Sequence, residues 1–175
     1  MTLFYNFVLL FFVLTNVIVE WKNRALFSPF QDDLSEYLAG VRWYWLQDAG
    51  YIVLAFTLPA IGYALGGQWV EILFAIAAVA LVLVVATKLL IVYVAPSPQI
   101  DHDLELVHLA SAGLAFGALT VALIIHSWGQ ANITFAASFA APLSAAAFNR
   151  FCPKRTALEE KAYTLFLLIA IFAAL

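Results

Sequence analysis

Charge is what this chain has least of. Only 11% of its 175 residues are Asp, Glu, Lys or Arg, while 65% are apolar and the mean hydropathy is +0.97. A soluble domain of this size has no interior large enough to hide that much apolar surface. Several uncharged runs reach the roughly 20 residues that cross a hydrocarbon core about 30 Å thick. The single cysteine, Cys152, excludes an intramolecular disulfide and a multi-cysteine metal site. A net charge of -3 gives no reason to expect nucleic acid or an anionic surface as a partner. There is no phosphate-binding loop, dinucleotide glycine motif or nucleophile elbow. The fold class expected is all-α and integral to the membrane, one domain over 1–175.

The apolar runs predict a six-helix transmembrane bundle with spans at about 2–19, 49–66, 70–95, 104–128, 131–148 and 157–175. The first run lacks a basic start and a small-residue cleavage site, so it is expected to be a retained helix. Thr156 followed by Glu159 forms a capping box that marks the start of the sixth. The eight basic residues are distributed on one side only. Lys22, Arg24 and Arg42 fall in the first loop, and Arg150, Lys154, Arg155 and Lys161 in or beside the fifth. Lys88 lies toward the third-loop end of the third span, where its stem can snorkel. The positive-inside rule then places loops one, three and five in the cytoplasm and both termini outside, in a multi-pass inner (plasma) membrane protein. Trp21, Trp43, Trp45, Trp69 and Trp128 all stand at span ends, as an interfacial aromatic belt requires.

Against this background the polar residues are conspicuous. In the first loop, Leu34, Tyr37, Leu38, Val41 and Trp45 recur at helical spacing, which predicts an amphipathic helix lying in the interface. A plain connecting loop is the competing expectation. The stretch "QIDHDLELVH" (99–108) brings three carboxylates and two histidines to the opening of the fourth span. Asp101, Glu105, His108 and Ser111 follow an i, i+4, i+7 stripe and share a face. Carboxylates in a first helical turn are explained by the orphan amides and the dipole there. His108 lies about two turns inside, where an imidazole must find a partner. Ser35 or Tyr37 of the first loop, or a third-loop aspartate, is the expected partner, with His102 facing water. Lys88 calls for a carboxylate such as Glu105 or Asp48. Asp101, His102, Asp103 and Glu105, near-adjacent at a helix start, cannot converge on one metal without help from the first loop. His108 and His126, separated by about 27 Å along one helix, cannot share a haem iron. Gly62 with Gly66, and Gly113 with Gly117, are small-xxx-small pairs expected to let helices approach. Pro59 and Pro142 are expected to kink spans two and five or free carbonyls toward a cavity.

These residues carry a resemblance. "LSEYLAGVRWYWLQDAGYIVLAF" (34–56), with Ser35, Glu36, Tyr37, Gly40, Trp45, Leu46, Ala49 and Gly50, resembles the first signature of a family of small six-span prokaryotic membrane proteins. That family is catalogued as domain of unknown function 998. "HLASAGLAF", with His108, Ala112 and Phe116, resembles its second. The third loop, "VAPSPQIDHD", is shorter than the family's and lacks glycine. The resemblance implies a six-helix bundle and a grouping of Ser35, a third-loop aspartate and His108 on one membrane face. It brings no agreed activity. Serine, aspartate and histidine also recur in membrane-embedded metal-dependent hydrolases of the ceramidase and progestin-receptor type, but those carry seven spans and further histidines in a late helix.

Three function classes follow. The favoured one is non-catalytic: a scaffold, accessory subunit or lipid-interacting bundle with a polar cluster of Glu36, Tyr37, Lys88, Asp101 and Glu105 at its cytoplasmic face. The second is a small intramembrane lipid hydrolase, metal-assisted or serine-type, using Ser35, Asp103 and His108. The third is a small-solute carrier, against which stand the lack of inverted repeats and the single deep charge at Lys88. No cofactor and no metal is expected. The partners expected are the bilayer and other membrane subunits, with no nucleic acid. The orientation makes a direct prediction: a thiol reagent should reach Cys152 only from the cytoplasmic side. Labelling of Cys152 on intact cells by an impermeant reagent would invert the topology.

Overall fold

The computed structural model describes residues 2–23, 43–93, 98–151 and 156–175. Six helices account for nearly all of them: α1 (Thr2–Asn23), α2 (Tyr44–Leu65), α3 (Gln68–Tyr93), α4 (Pro98–Ser127), α5 (Ile133–Phe151) and α6 (Thr156–Ala174). Four, α1 to α4, are long and apolar enough to cross a membrane. The chain is an all-α membrane protein. Helices α5 and α6 are shorter, with 19 residues each, and alanine and serine dilute the apolarity of α5.

The helices overrun the apolar spans, mostly at the end of the bundle that carries loops one, three and five. Helix α1 continues past residue 19 to Asn23, α2 begins at Tyr44, and α4 begins at Pro98. Hydropathy marks where hydrocarbon ends; backbone hydrogen bonding has no reason to stop there. Pro98 suits a first helical position because it has no N–H to leave unpaired. Gln47 and Asp48 thereby sit on helix α2, buried, and not in a connecting loop. The first loop lies outside the described residues, and with it the interfacial helix expected there.

Sequence neighbours pack side by side from α1 to α4, α5 pairs with α6, and that hairpin packs on α4. The core is apolar, built from residues such as Leu9, Leu58, Phe74, Leu81, Leu123 and Ile171. Across α1 and α6 an ion pair joins Lys161 Nζ to Glu20 at 2.9 Å, linking the last helix to the first. All five tryptophans lie at helix ends and are exposed.

Glycine fixes two close approaches. A Cβ at Gly50 would overlap the Thr15 hydroxyl of α1. A Cβ at Gly62 would come within 2.7 Å of the Phe74 Cβ and 3.3 Å of the Glu71 Cα on α3. The other three glycines of the two small-xxx-small pairs behave differently. Gly66 ends α2 with φ 77°, its N–H bonded to the Gly62 carbonyl, and a Cβ there would meet nothing within 4 Å. Among the described residues, a Cβ at Gly113 or Gly117 likewise meets nothing within 4 Å. Among the described residues, no helix makes the contact expected at 113 and 117.

Overpacking at a true contact costs about 1–3 kcal/mol. Gly50→Val and Gly62→Val should each lower the melting temperature in detergent, whereas Gly113→Ala should leave it within error. A melting temperature indifferent to both contact substitutions would mean that α1–α2 and α2–α3 do not approach as described.

Candidate functional site

Burying a lysine is costly unless its charge is met, because an uncompensated ammonium loses its hydration. Lys88, on α3, is 5% exposed. Its Nζ donates to Asp48 Oδ1 at 2.8 Å and to Gln47 Oε1 at 3.1 Å. Gln47 Nε2 donates in turn to Asn16 Oδ1 at 2.9 Å, and Asn16 Nδ2 to the Phe12 carbonyl at 2.8 Å. A polar chain thus runs from α1 through α2 to α3. The adjacent residue, Thr87, donates to the Leu83 carbonyl at 2.8 Å and stands 3.2 Å from His108 Nδ1. His108 Nδ1 is also 3.1 Å from the Val84 carbonyl. A carbonyl oxygen accepts only, so the proton belongs on Nδ1, and in the neutral ring Nε2 remains an acceptor.

Of these residues Gln47, Asp48, Val84, Lys88 and His108 line a cavity of about 490 Å³. Its polar end holds Gln47, Asp48, Lys88, His108, Glu159 and Glu160; Leu81, Val85, Ala112, Gly113, Phe116 and Gly117 continue it as an apolar wall. The cavity exists because neither α2 nor α3 packs extensively on α6. Tyr163 of α6 spans part of the gap. Its hydroxyl bonds to Thr120 Oγ1 of α4, and its ring meets Phe116 edge-on at 5.8 Å. From His108 to Gly117 the cavity follows α4 for about 14 Å at the helical rise. Leu109, which lines it, is 56% exposed, so the cavity is not sealed on that side of α4.

The residues singled out by sequence divide sharply. His108 is buried, as its depth requires, but its described partners are Thr87 and the Val84 carbonyl of α3. Lys88 takes Asp48 and not Glu105, which is exposed on α4. Asp103 is exposed too. Five residues separate it from His108, which puts the two on different faces of the helix. Ser35, Glu36 and Tyr37, and the side chains of Asp101 and His102, lie outside the described residues. Among the described residues no group of three His, Cys, Asp or Glu is placed to hold a metal ion. Pro59 and Pro142 stand inside α2 and α5, and neither lines the cavity.

Sequence reasoning missed Gln47, Asn16, Glu160, Tyr163 and Thr164 altogether and assigned Glu159 to a helix cap. One signal was available. Asn16, Thr87 and Lys88 interrupt long apolar runs, and polar residues at membrane depth mark interior positions.

The sequence matches the family described as "Protein of unknown function (DUF998)" over residues 8–175. The chain belongs to that family. Comparison with curated proteins and with solved structures finds no match.

The ion pair gives the site a thermodynamic signature. Removing one partner strands a buried charge at a cost of about 3–5 kcal/mol, while replacing both by apolar groups is often neutral. Asp48→Leu and Lys88→Met should each destabilise the protein strongly, and the double variant should recover most of the loss. Additive losses in the double variant would show that the two side chains act independently.

Proposed function

We propose that this family member is a non-catalytic, lipid-interacting bundle. In this reading its cavity receives a single-chain amphiphile or one chain of a lipid, with the polar head at the Lys88–Asp48 end. One observation carries the reading: a cavity of about 490 Å³ with buried ionisable groups at one end and an apolar wall beyond. That volume falls within the roughly 300–1,000 Å³ of small-molecule sites. Its run along α4 of about 14 Å is close to half a hydrocarbon core of about 30 Å. An amphiphile held there keeps its head at the depth of one interface and its chain in one leaflet. The exposed Leu109 side offers entry from the bilayer.

All six helices cross in this reading, since loops one, three and five must share the polar end. The basic residues favour the cytoplasmic face of an inner membrane for that end. A hydrolase using Ser35, Asp103 and His108 draws no support from the separation of Asp103 and His108 around α4.

Gly113→Leu and Gly117→Leu place side chains into the cavity wall where a Cβ meets nothing within 4 Å. In nanodiscs, either substitution should weaken binding of a fluorescent fatty-chain probe at least tenfold and leave the melting temperature nearly unchanged. Undiminished probe binding in both variants would refute the cavity as the binding place. Uptake of a small solute by vesicles carrying the wild-type chain would transfer the reading to a carrier.

A further inference from the structure

We infer that this cavity selects amphiphiles by chain length, taking a medium chain of about eight to twelve carbons with its head at the Lys88 end. This rests on the amphiphile-binding reading above and names the class of chain. The deepest lining residues are Tyr51 on α2, Leu81 on α3, Gly117 on α4 and Thr164 on α6. Residues three or four positions apart on a helix share a face, so the next such position on each helix shows what lies beyond. All four are buried: Leu54 on α2, Ala78 on α3, Thr120 on α4 and Leu168 on α6. Leu54, Ala78 and Leu168 belong to one apolar core. The cavity is blind at this end.

The open flank does not lengthen it. Leu109 and Gly113 are exposed, which places that flank in the half of the cavity nearer the polar end. Deeper in, Tyr163 bonds to Thr120 and its ring meets Phe116, so α6 is tied to α4 at the floor. The usable length follows from the lining residues. Lys88 to Leu81 spans about 10 Å of α3, and His108 to Gly117 about 14 Å of α4, at the helical rise. An extended chain advances about 1.2 Å per bond, since three backbone bonds span one extended residue. Inside a membrane a chain gains little merely by leaving lipid, because lipid tails are as apolar as a protein wall. Fit therefore decides. A short chain leaves wall atoms without partners. A long one must crowd the buried floor, which a packed core resists, or pull its head away from the polar end.

The test uses the full chain in phosphatidylcholine nanodiscs and compares octyl, decyl, dodecyl, tetradecyl and hexadecyl phosphocholine. One head group throughout removes head chemistry from the comparison. Displacement of the fluorescent fatty-chain probe is the readout, expressed against the mole fraction of competitor in the bilayer so that partitioning from water drops out. Decyl or dodecyl phosphocholine should displace best, and the hexadecyl compound should be at least tenfold weaker. Thr164→Phe adds bulk at the floor, and Thr164 Oγ1 has no hydrogen-bond partner among the described residues, so its loss breaks no bond there. That variant should move the optimum to a shorter chain. Hexadecyl phosphocholine equal to or better than dodecyl on the wild-type chain would overturn the length limit while leaving the cavity as an amphiphile site. That comparison stands whether or not the variant folds. A folded Thr164→Phe chain with an unchanged optimum would equally overturn the floor described. Failure of every phosphocholine to displace the probe would instead remove the amphiphile reading itself.

Discussion

A lysine buried in a membrane bundle constrains everything near it. Lys88 is held within the core, so α2 must bring both Asp48 and Gln47 to it, and it does so from one turn of helix. Adjacent residues on a helix point about 100° apart, so both can reach one ammonium only if it approaches between them. This fixes the rotation of α2 against α3. Gln47 then has its amide nitrogen left over, and Asn16 of α1 accepts from it. The positions of three helices at this end are coupled through one cation. A hydrophobic substitute could fill the same volume, but it would not specify which faces meet.

Glycine sets the approach where polar groups do not. Gly50 lies two residues after Asp48 and admits the Thr15 hydroxyl of α1, so close packing and the polar chain reinforce each other at the α1–α2 contact. Gly62 does the same between α2 and α3 near the opposite end. On α4 the same residue type has the contrary effect: Gly113 and Gly117 meet no neighbour among the described residues, and the absent side chains become volume. Whether a small residue means contact or cavity depends on whether another helix is there to use the space. That is a property of the bundle and not of the four-residue spacing.

This difference explains what could be read in the sequence and what could not. Long apolar runs disclosed the helices, because burying backbone in hydrocarbon leaves no alternative to a helix. Asp48 was named among the carboxylates available to Lys88 because so few charges exist to choose from. The depth of His108 was likewise legible, since an imidazole two turns inside a span must be satisfied. Its partner was not. Thr87 and the Val84 carbonyl lie on another helix, and no local pattern in 99–108 points to them. Glu159 was explained too early. A carboxylate at the third helical position satisfies the capping rule completely, so nothing prompted a search for a second use at the mouth of a cavity. Gln47 was lost for a different reason: an apolar-run boundary placed it in a loop, although the helix had already begun.

The cavity persists because α6 is held at a distance as well as held in place. Tyr163 places a ring and a hydroxyl between α6 and α4, meeting Thr120 and Phe116, and a rigid aromatic cannot shorten to let the helices close. Lys161, two residues earlier, ties the same helix to Glu20 of α1. One contact acts as a spacer and the other as a tether, within a single turn of α6. Collapse of α6 toward Gly113 would require both to break.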